Sequence, residues 1–239
     1  MRPRRLERCF AVATLLTFLA PIVLFAPQAY AETYVGGQFG LTLPSIGKGL
    51  TDNDLTGVFP PGTTITDQSL KTSILYGAKL GHYFKFLPWL GIEAEVYNTT
   101  PHIKQQSVTF STPSGPIGSV ELPGVDFRVL TLAPLNLTLR YHKTRLQPYM
   151  AVGPGIFFAR IKDPSLSTDN TQSDTAIGLN AQVGLRYYMT RHFTVFMEGK
   201  FNHARFNFSE TPPGSNFNLF GFNGTYNMFH VAFGLTYNF

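Results

Sequence analysis

Eight stretches of this chain alternate apolar and polar residues with a period of two, at about residues 33–43, 71–84, 89–98, 127–141, 147–160, 175–189, 193–206 and 226–239. Successive side chains of a strand point to opposite faces, so each stretch predicts a β-strand with one apolar and one polar face. Between 175 and 189, Ile177, Leu179, Ala181, Val183, Leu185 and Tyr187 oppose Asn180, Gln182, Gly184 and Arg186. In the next stretch Phe193, Val195, Met197, Gly199 and Phe201 oppose Thr194, Phe196, Glu198, Lys200 and Asn202, and Phe196 alone breaks the division. Leu135, Leu137, Leu139 and Tyr141 face away from Asn136, Thr138 and Arg140, and Leu90, Ile92, Ala94 and Val96 from Gly91, Glu93 and Glu95. Ile74, Tyr76, Ala78 and Leu80 likewise oppose Gly77, Lys79 and Gly81. The last stretch sets Phe229, Val231, Phe233, Leu235, Tyr237 and Phe239 against His230, Ala232, Gly234, Thr236 and Asn238.

The connections take turns in length. Those at 44–70, 99–126, 161–174 and 207–225 are long, and those at 85–88, 142–146 and 190–192 are short. The pattern predicts an all-β fold: a closed eight-stranded antiparallel transmembrane β-barrel, an up-and-down meander with four long extracellular loops and three short periplasmic turns. Beyond the first thirty or so residues, no apolar run approaches the ~20 residues of a membrane helix.

Charge decides which face meets lipid. The polar row carries Lys79, Glu93, Glu95, Arg140, Arg186, Glu198 and Lys200. An eight-stranded barrel has an interior that side chains just fill, and an isolated ion buried there costs several kcal/mol. The seven residues are therefore expected to form an ion-pair network in the lumen. Inward glycines at 36, 77, 81, 153, 155, 184 and 234 would make room for their long side chains. The apolar row then faces hydrocarbon, where only a closed sheet satisfies every backbone group. A soluble, lipocalin-type barrel would need the opposite polarity. Tyr34, Phe84, Trp89, Tyr141, Tyr187, Tyr188, Phe193 and Tyr237 fall where a periplasmic aromatic girdle belongs. Pro134 and Pro154 sit within strands, where each removes a ladder hydrogen bond, so bulges are expected there and the register of the fourth and fifth strands stays open.

Composition agrees, with 44% hydrophobic and only 14% charged residues. Arg2, Arg4, Arg5 and Arg8, an apolar run from Phe10 to Ala26, and Ala29-Tyr30-Ala31 read as a secretory signal peptide over 1–31, cleaved before Glu32. The barrel domain then spans 32–239. A retained membrane helix is the alternative, and Pro21, Pro27 and the small-residue site count against it. Cleavage leaves 15 basic and 13 acidic residues, a net charge of +2 in place of +5. No dense basic patch remains for nucleic acid. Cys9 leaves with the signal, so neither a disulfide nor a Cys-ligated metal is available. No catalytic, cofactor or metal constellation emerges. Asp52 and Asp54 in "TDNDLTG" lack the later ligands of a calcium loop, since Thr56 and Thr63 stand there, and "GPG" at 153–155 lacks phosphate-loop spacing.

Five segments carry a resemblance: "TYVGGQFGL", "YGAKLGHYF", "QPYMAVGPGIFF", "GLRYYMTRHFTVFMEGKF" and the terminal "FGLTYNF". Across 32–239 the chain resembles the eight-stranded outer-membrane β-barrel family, of the opacity-protein and outer membrane protein A transmembrane-domain type. That resemblance implies an integral protein of the outer membrane, with lipid and lipopolysaccharide around it. It also implies that Phe233, Leu235, Tyr237 and Phe239 form a C-terminal signal read by the outer-membrane assembly machinery.

A fold does not fix an activity. The first functional reading is a non-enzymatic structural barrel with a plugged, ion-paired lumen that displays its loops. A narrow gated pore through the same residues is the alternative, and a loop-mediated adhesin using "SNFNLFGFNGTYN" at 215–227 is another. Neither an extracellular ligand nor a solute is specified. A lipid-modifying enzyme would need a Ser or Thr beside a His. None of His82, His102, His142, His192, His203 and His230 is followed two residues later by Ser, and His203, with Ser209 and Glu210 beyond it, is the best candidate.

Overall fold

The computed structural model describes residues 32–47, 49–55, 60–162, 171–209 and 221–239, apart from the Asp52 side chain. The proposed signal at 1–31, most of the connection 161–174 and residues 215–220 of the segment 215–227 lie outside these residues. Eight strands close the barrel: β1 (Glu32–Leu43), β4 (Ser73–Tyr83), β5 (Leu90–Thr99), β8 (Asp126–Arg140), β9 (Leu146–Lys162), β10 (Thr171–Tyr188), β11 (Phe193–Phe208) and β12 (Phe222–Asn238). Each pairs antiparallel with its neighbour, and β1 closes on β12 with Tyr34 opposite Asn238 and Leu43 opposite Phe229. The fold is thus a closed eight-stranded antiparallel barrel, and closure removes the free edges that hydrocarbon would leave unsatisfied.

Four further strands rise from the first two long connections: β2 (Gly49–Leu55), β3 (Thr64–Ile65), β6 (Gln106–Thr112) and β7 (Gly115–Leu122). They extend the sheet from the outer half of β12 in the order β2, β3, β6, β7. A single helical turn, α1 (Pro44–Gly47), separates β1 from β2. Along this path the chain passes from Leu43 to Gly49 while its partner β12 moves only from Phe229 to Asn227. Gly49 restarts the strand at φ 75, a left-handed conformation that glycine adopts without strain.

Pro134 does bring a bulge. Between Leu132 and Leu137, β8 has one residue more than β9, and between Ala133 and Asn136 one more than β5. At Pro154 the β9–β10 register runs through unbroken, with Pro154 opposite Leu179. The irregularity therefore belongs to β8, and Gly153–Gly155 only face it.

Along the periplasmic part of the wall the apolar row points outward, leaving Val183, Leu185, Met197, Phe233 and Leu235 exposed on the outer face. Near the extracellular end the same strands exchange their faces. In β11, Glu198, Lys200 and Asn202 point inward, but they are followed on that face by Ala204, Phe206 and Phe208, while His203, Arg205 and Asn207 point out. In β12 the inward row passes from His230 to Met228 and Tyr226, and in β8 from Asn136 and Thr131 to Val129 and Phe127. The outer end of the lumen is therefore an apolar core of Phe127, Phe157, Phe206, Phe208, Tyr226 and Met228. The expectation of an ionic lumen throughout is corrected on this point. Above the bilayer the wall meets water, so the economical arrangement is that of a soluble protein.

Candidate functional site in the barrel interior

The inward positions of the lower barrel hold long polar side chains because strand parity puts them there. Lys79 comes from β4, Glu93 and Glu95 from β5, Arg186 from β10, and Glu198 and Lys200 from β11. Six of the seven residues singled out from the sequence meet in one network. Lys79 Nζ lies 3.2 Å from Glu93 Oε1, 2.9 Å from Glu198 Oε2 and 3.9 Å from Glu95 Oε2. Lys200 Nζ lies 3.0 Å from Glu198 Oε1 and also pairs with Glu95. Arg186 Nη2 lies 3.7 Å from Glu93 Oε2. Three cations thus meet three anions, and each side chain is 0–1% accessible to solvent.

Arg140 stands apart. Its Nη1 donates to Glu32 Oε2 at 2.6 Å and to the Tyr188 hydroxyl at 2.7 Å, closing the periplasmic end. Glu32 is the anion missing from the sequence reading, which left four cations against three. It shares the inward parity of Tyr34 and Gln38, and that signal was present in the alternation.

Neutral groups complete the network. Tyr34 donates to Glu93 at 2.5 Å, Gln182 to Glu93 at 2.5 Å, and Tyr149 to Glu198. Toward the outside, Asn180 donates to Glu95 at 2.8 Å and to Asn136 at 3.2 Å, and Tyr97 donates to Asn202 at 2.7 Å. His230 joins Asn202 through Nε2 at 2.7 Å and Thr42 through Nδ1 at 2.9 Å. All eight barrel strands contribute, so these bonds brace the wall across its full section.

Aromatic rings occupy the space expected to accommodate the long charged chains, which corrects the role given to the inward glycines. A Cβ on Gly81 would lie 2.3 Å from the Tyr34 ring, one on Gly184 2.8 Å from Tyr149, and one on Gly234 2.2 Å from Phe196. The rings pack against these glycines and present their faces to the cations. Arg186 sits 4.2 Å from the Tyr34 centroid and 5.0 Å from that of Tyr149, Lys79 4.8 Å from Phe196, Lys200 4.8 Å from Tyr97, and Arg140 3.6 Å from Tyr83. The quadrupole of a ring attracts a cation, by ~2 kcal/mol when both are dry. Phe196, the apparent flaw in the alternation, is one of these faces. Tyr34 and Tyr188 accordingly belong to the lumen rather than to an interfacial girdle, whereas Trp89, Tyr141, Phe193 and Tyr237 are exposed on the outer wall.

The remaining candidates are dispersed. His203 points outward, with Nδ1 2.7 Å from Asn227 Oδ1. Ser209 lies six residues further along the chain, ~20 Å along an extended strand, and Glu210 lies outside the described residues. Asp54 pairs with Arg205 at 3.2 Å. Among the described residues no cluster of His, Cys, Asp and Glu could hold a metal ion. Phe233, Leu235, Tyr237 and Phe239 line the outer face, and the Phe239 N–H donates to Thr33 O at 2.9 Å, across the β1–β12 seam.

A closed barrel with an apolar outer wall, an ion-paired interior and a water-facing rim defines an integral outer-membrane β-barrel protein. The family model for the outer membrane protein beta-barrel domain matches residues 11–239. The chain belongs to that family. Among solved structures it is similar to the outer membrane protein OprG of Pseudomonas aeruginosa, at 15% identity and a TM-score of 0.58, covering 89% of this chain and 97% of that one. It is also similar to a major outer membrane protein of Thermus thermophilus, at 12% identity, a TM-score of 0.49 and coverage of 87% and 99%. A third is Neisserial surface protein A, at 10% identity, a TM-score of 0.48 and coverage of 87% and 99%. No curated protein matches the sequence.

Proposed function

We propose that this protein is a non-enzymatic structural barrel, plugged by its paired ions, that holds a folded surface outside the outer membrane. One observation carries the reading: six charged side chains from four strands meet in a balanced cluster that is closed to solvent. A conducting path would have to separate these pairs, and breaking a buried pair costs ~3–5 kcal/mol. The apolar core of Phe157, Phe206 and Tyr226 lies above the cluster as a second barrier. The sheet formed by β2, β3, β6 and β7 is the displayed part, and the outward row ending at Phe239 suits recognition by the assembly machinery.

The chemistry favours no enzyme. Thr42, His230 and Asn202 are hydrogen-bonded in the order of a nucleophile, a base and its orienting group. All three are 0% exposed within the wall, beyond the reach of any substrate. Refolded mature protein in a planar lipid bilayer is expected to give no steady current. A stable open conductance would overturn the plug and favour a narrow pore. Incubation with lipopolysaccharide followed by mass spectrometry of the lipid should show unchanged acyl chains, and their loss or gain would make the protein an enzyme.

A further inference from the structure

The outer wall carries three cations side by side on β8 and β9. Arg128 lies directly opposite Arg160, and Lys162, two residues beyond Arg160 on the same face, lies opposite Asp126. All three basic side chains are exposed. Side chains directly opposite on antiparallel strands have Cβ atoms only ~5 Å apart, and like charges so placed repel. The neighbouring carboxylate is turned away from them, with Asp126 Oδ1 3.0 Å from His102 Nδ1. Arg160 donates to the neutral Thr171 hydroxyl at 3.3 Å. Among the described residues neither Arg128 nor Lys162 forms an ion pair. Arg205, on the outer face of β11, differs in having Asp54 beside it.

The height of the cluster identifies what could neutralise it. Immediately below it on the same face, Leu130 is opposite Phe158, and these end the outward apolar row of both strands. From Leu146 at the periplasmic end of β9 to Arg160 is a run of ~14 residues, ~47 Å along the strand. At a tilt of 35–45° this becomes roughly 33–38 Å across the bilayer, above a hydrocarbon core of ~30 Å and within the headgroup layer. Guanidinium forks bind phosphate by two parallel hydrogen bonds, and a facing pair of them fits one phosphate between two strands.

We infer that Arg128, Arg160 and Lys162 form a binding site for a phosphate on the headgroup of lipopolysaccharide in the outer leaflet. The site is built on the barrel's outer face and does not depend on whether the lumen conducts. Refolded protein in detergent micelles should be titrated with lipid A, with lipid A stripped of its phosphates, and with inorganic phosphate, and the complexes read by native mass spectrometry. Arg128→Gln/Arg160→Gln is expected to weaken lipid A binding roughly tenfold or more, with Arg205→Gln close to wild type. Dephosphorylated lipid A should bind wild type no better than lipid A binds the double variant, and inorganic phosphate should not displace lipid A. Heat-modifiability on a gel verifies that each variant is folded, and Arg128→Gln alone serves if the double variant is not. Equal lipid A binding by wild type and variant, equal losses with Arg205→Gln, or indifference to the lipid's phosphates would overturn the site. Full displacement by inorganic phosphate would overturn the lipid as its ligand.

Discussion

Replacing Glu198 with glutamine keeps the shape of the side chain and removes its charge from the centre of the network. Glu198 lies 2.9 Å from Lys79 Nζ and 3.0 Å from Lys200 Nζ and accepts a hydrogen bond from Tyr149. At an effective dielectric of ~20, each of these ion pairs is worth ~5 kcal/mol in gross Coulomb energy. Lys79 retains Glu93 and Lys200 retains Glu95, so the net loss should fall to ~3–5 kcal/mol, the range for removing one partner of a buried pair. A second change, Lys200→Met, restores the balance by leaving Lys79 and Arg186 against Glu93 and Glu95. The double variant should then be more stable than the sum of the two single losses by ~2 kcal/mol. Equilibrium guanidinium unfolding of the refolded protein in lipid vesicles measures all three. A Glu198→Gln variant within ~0.5 kcal/mol of wild type, or strictly additive losses, would refute the view that these ions are held by one another.

Three further expectations follow from the geometry. Gly234→Ala drives a methyl toward Phe196 and Gly37 O and should cost ~1–3 kcal/mol in the same unfolding assay, whereas Gly37→Ala meets nothing within 4 Å and should be tolerated. Val183→Arg puts a charge on the lipid face and should cost ~2–4 kcal/mol if it sits near the midplane, against ~0–1 for Asn207→Arg beyond the apolar band. Phe206→Ala empties part of the outer apolar core, and unfolding should detect a loss of ~3–5 kcal/mol. Bilayer recording of the same variant should still give no steady current, because the ionic cluster beneath it remains.

The eight strands and the face that meets lipid were legible because a period of two is a local property that lipid on one side keeps consistent. Lys79, Glu93, Glu95, Arg186, Glu198 and Lys200 were legible as inward residues for the same reason, and narrowness alone required them to find partners. The rest lies in relations between strands. The exchange of faces in β11, from Lys200 and Asn202 inside to His203 and Arg205 outside, leaves the alternation unbroken and shifts only its phase. It becomes visible when Tyr226 and Phe127 are seen at the same level. Gly234 and Phe196 are 38 residues apart, so nothing in the sequence announces that one lies beneath the ring of the other. The sheet over the rim depends on pairs such as Thr64 with Ser111. Its strand β7, Gly-Pro-Ile-Gly-Ser-Val-Glu-Leu, is exposed on both sides and carries no alternation to reveal it.

One continuous wall is apolar outside where lipid touches it and polar outside where water does. With no cysteine after Cys9, single spin-labelled cysteines along the outer face of β11 can test it in lipid vesicles. Labels at Val195, Met197 and Phe201 should be reached by oxygen dissolved in the bilayer, and labels at His203, Arg205 and Asn207 by a water-soluble nickel chelate. Nickel access at Met197 with oxygen access at Arg205, or one uniform response along the strand, would contradict it.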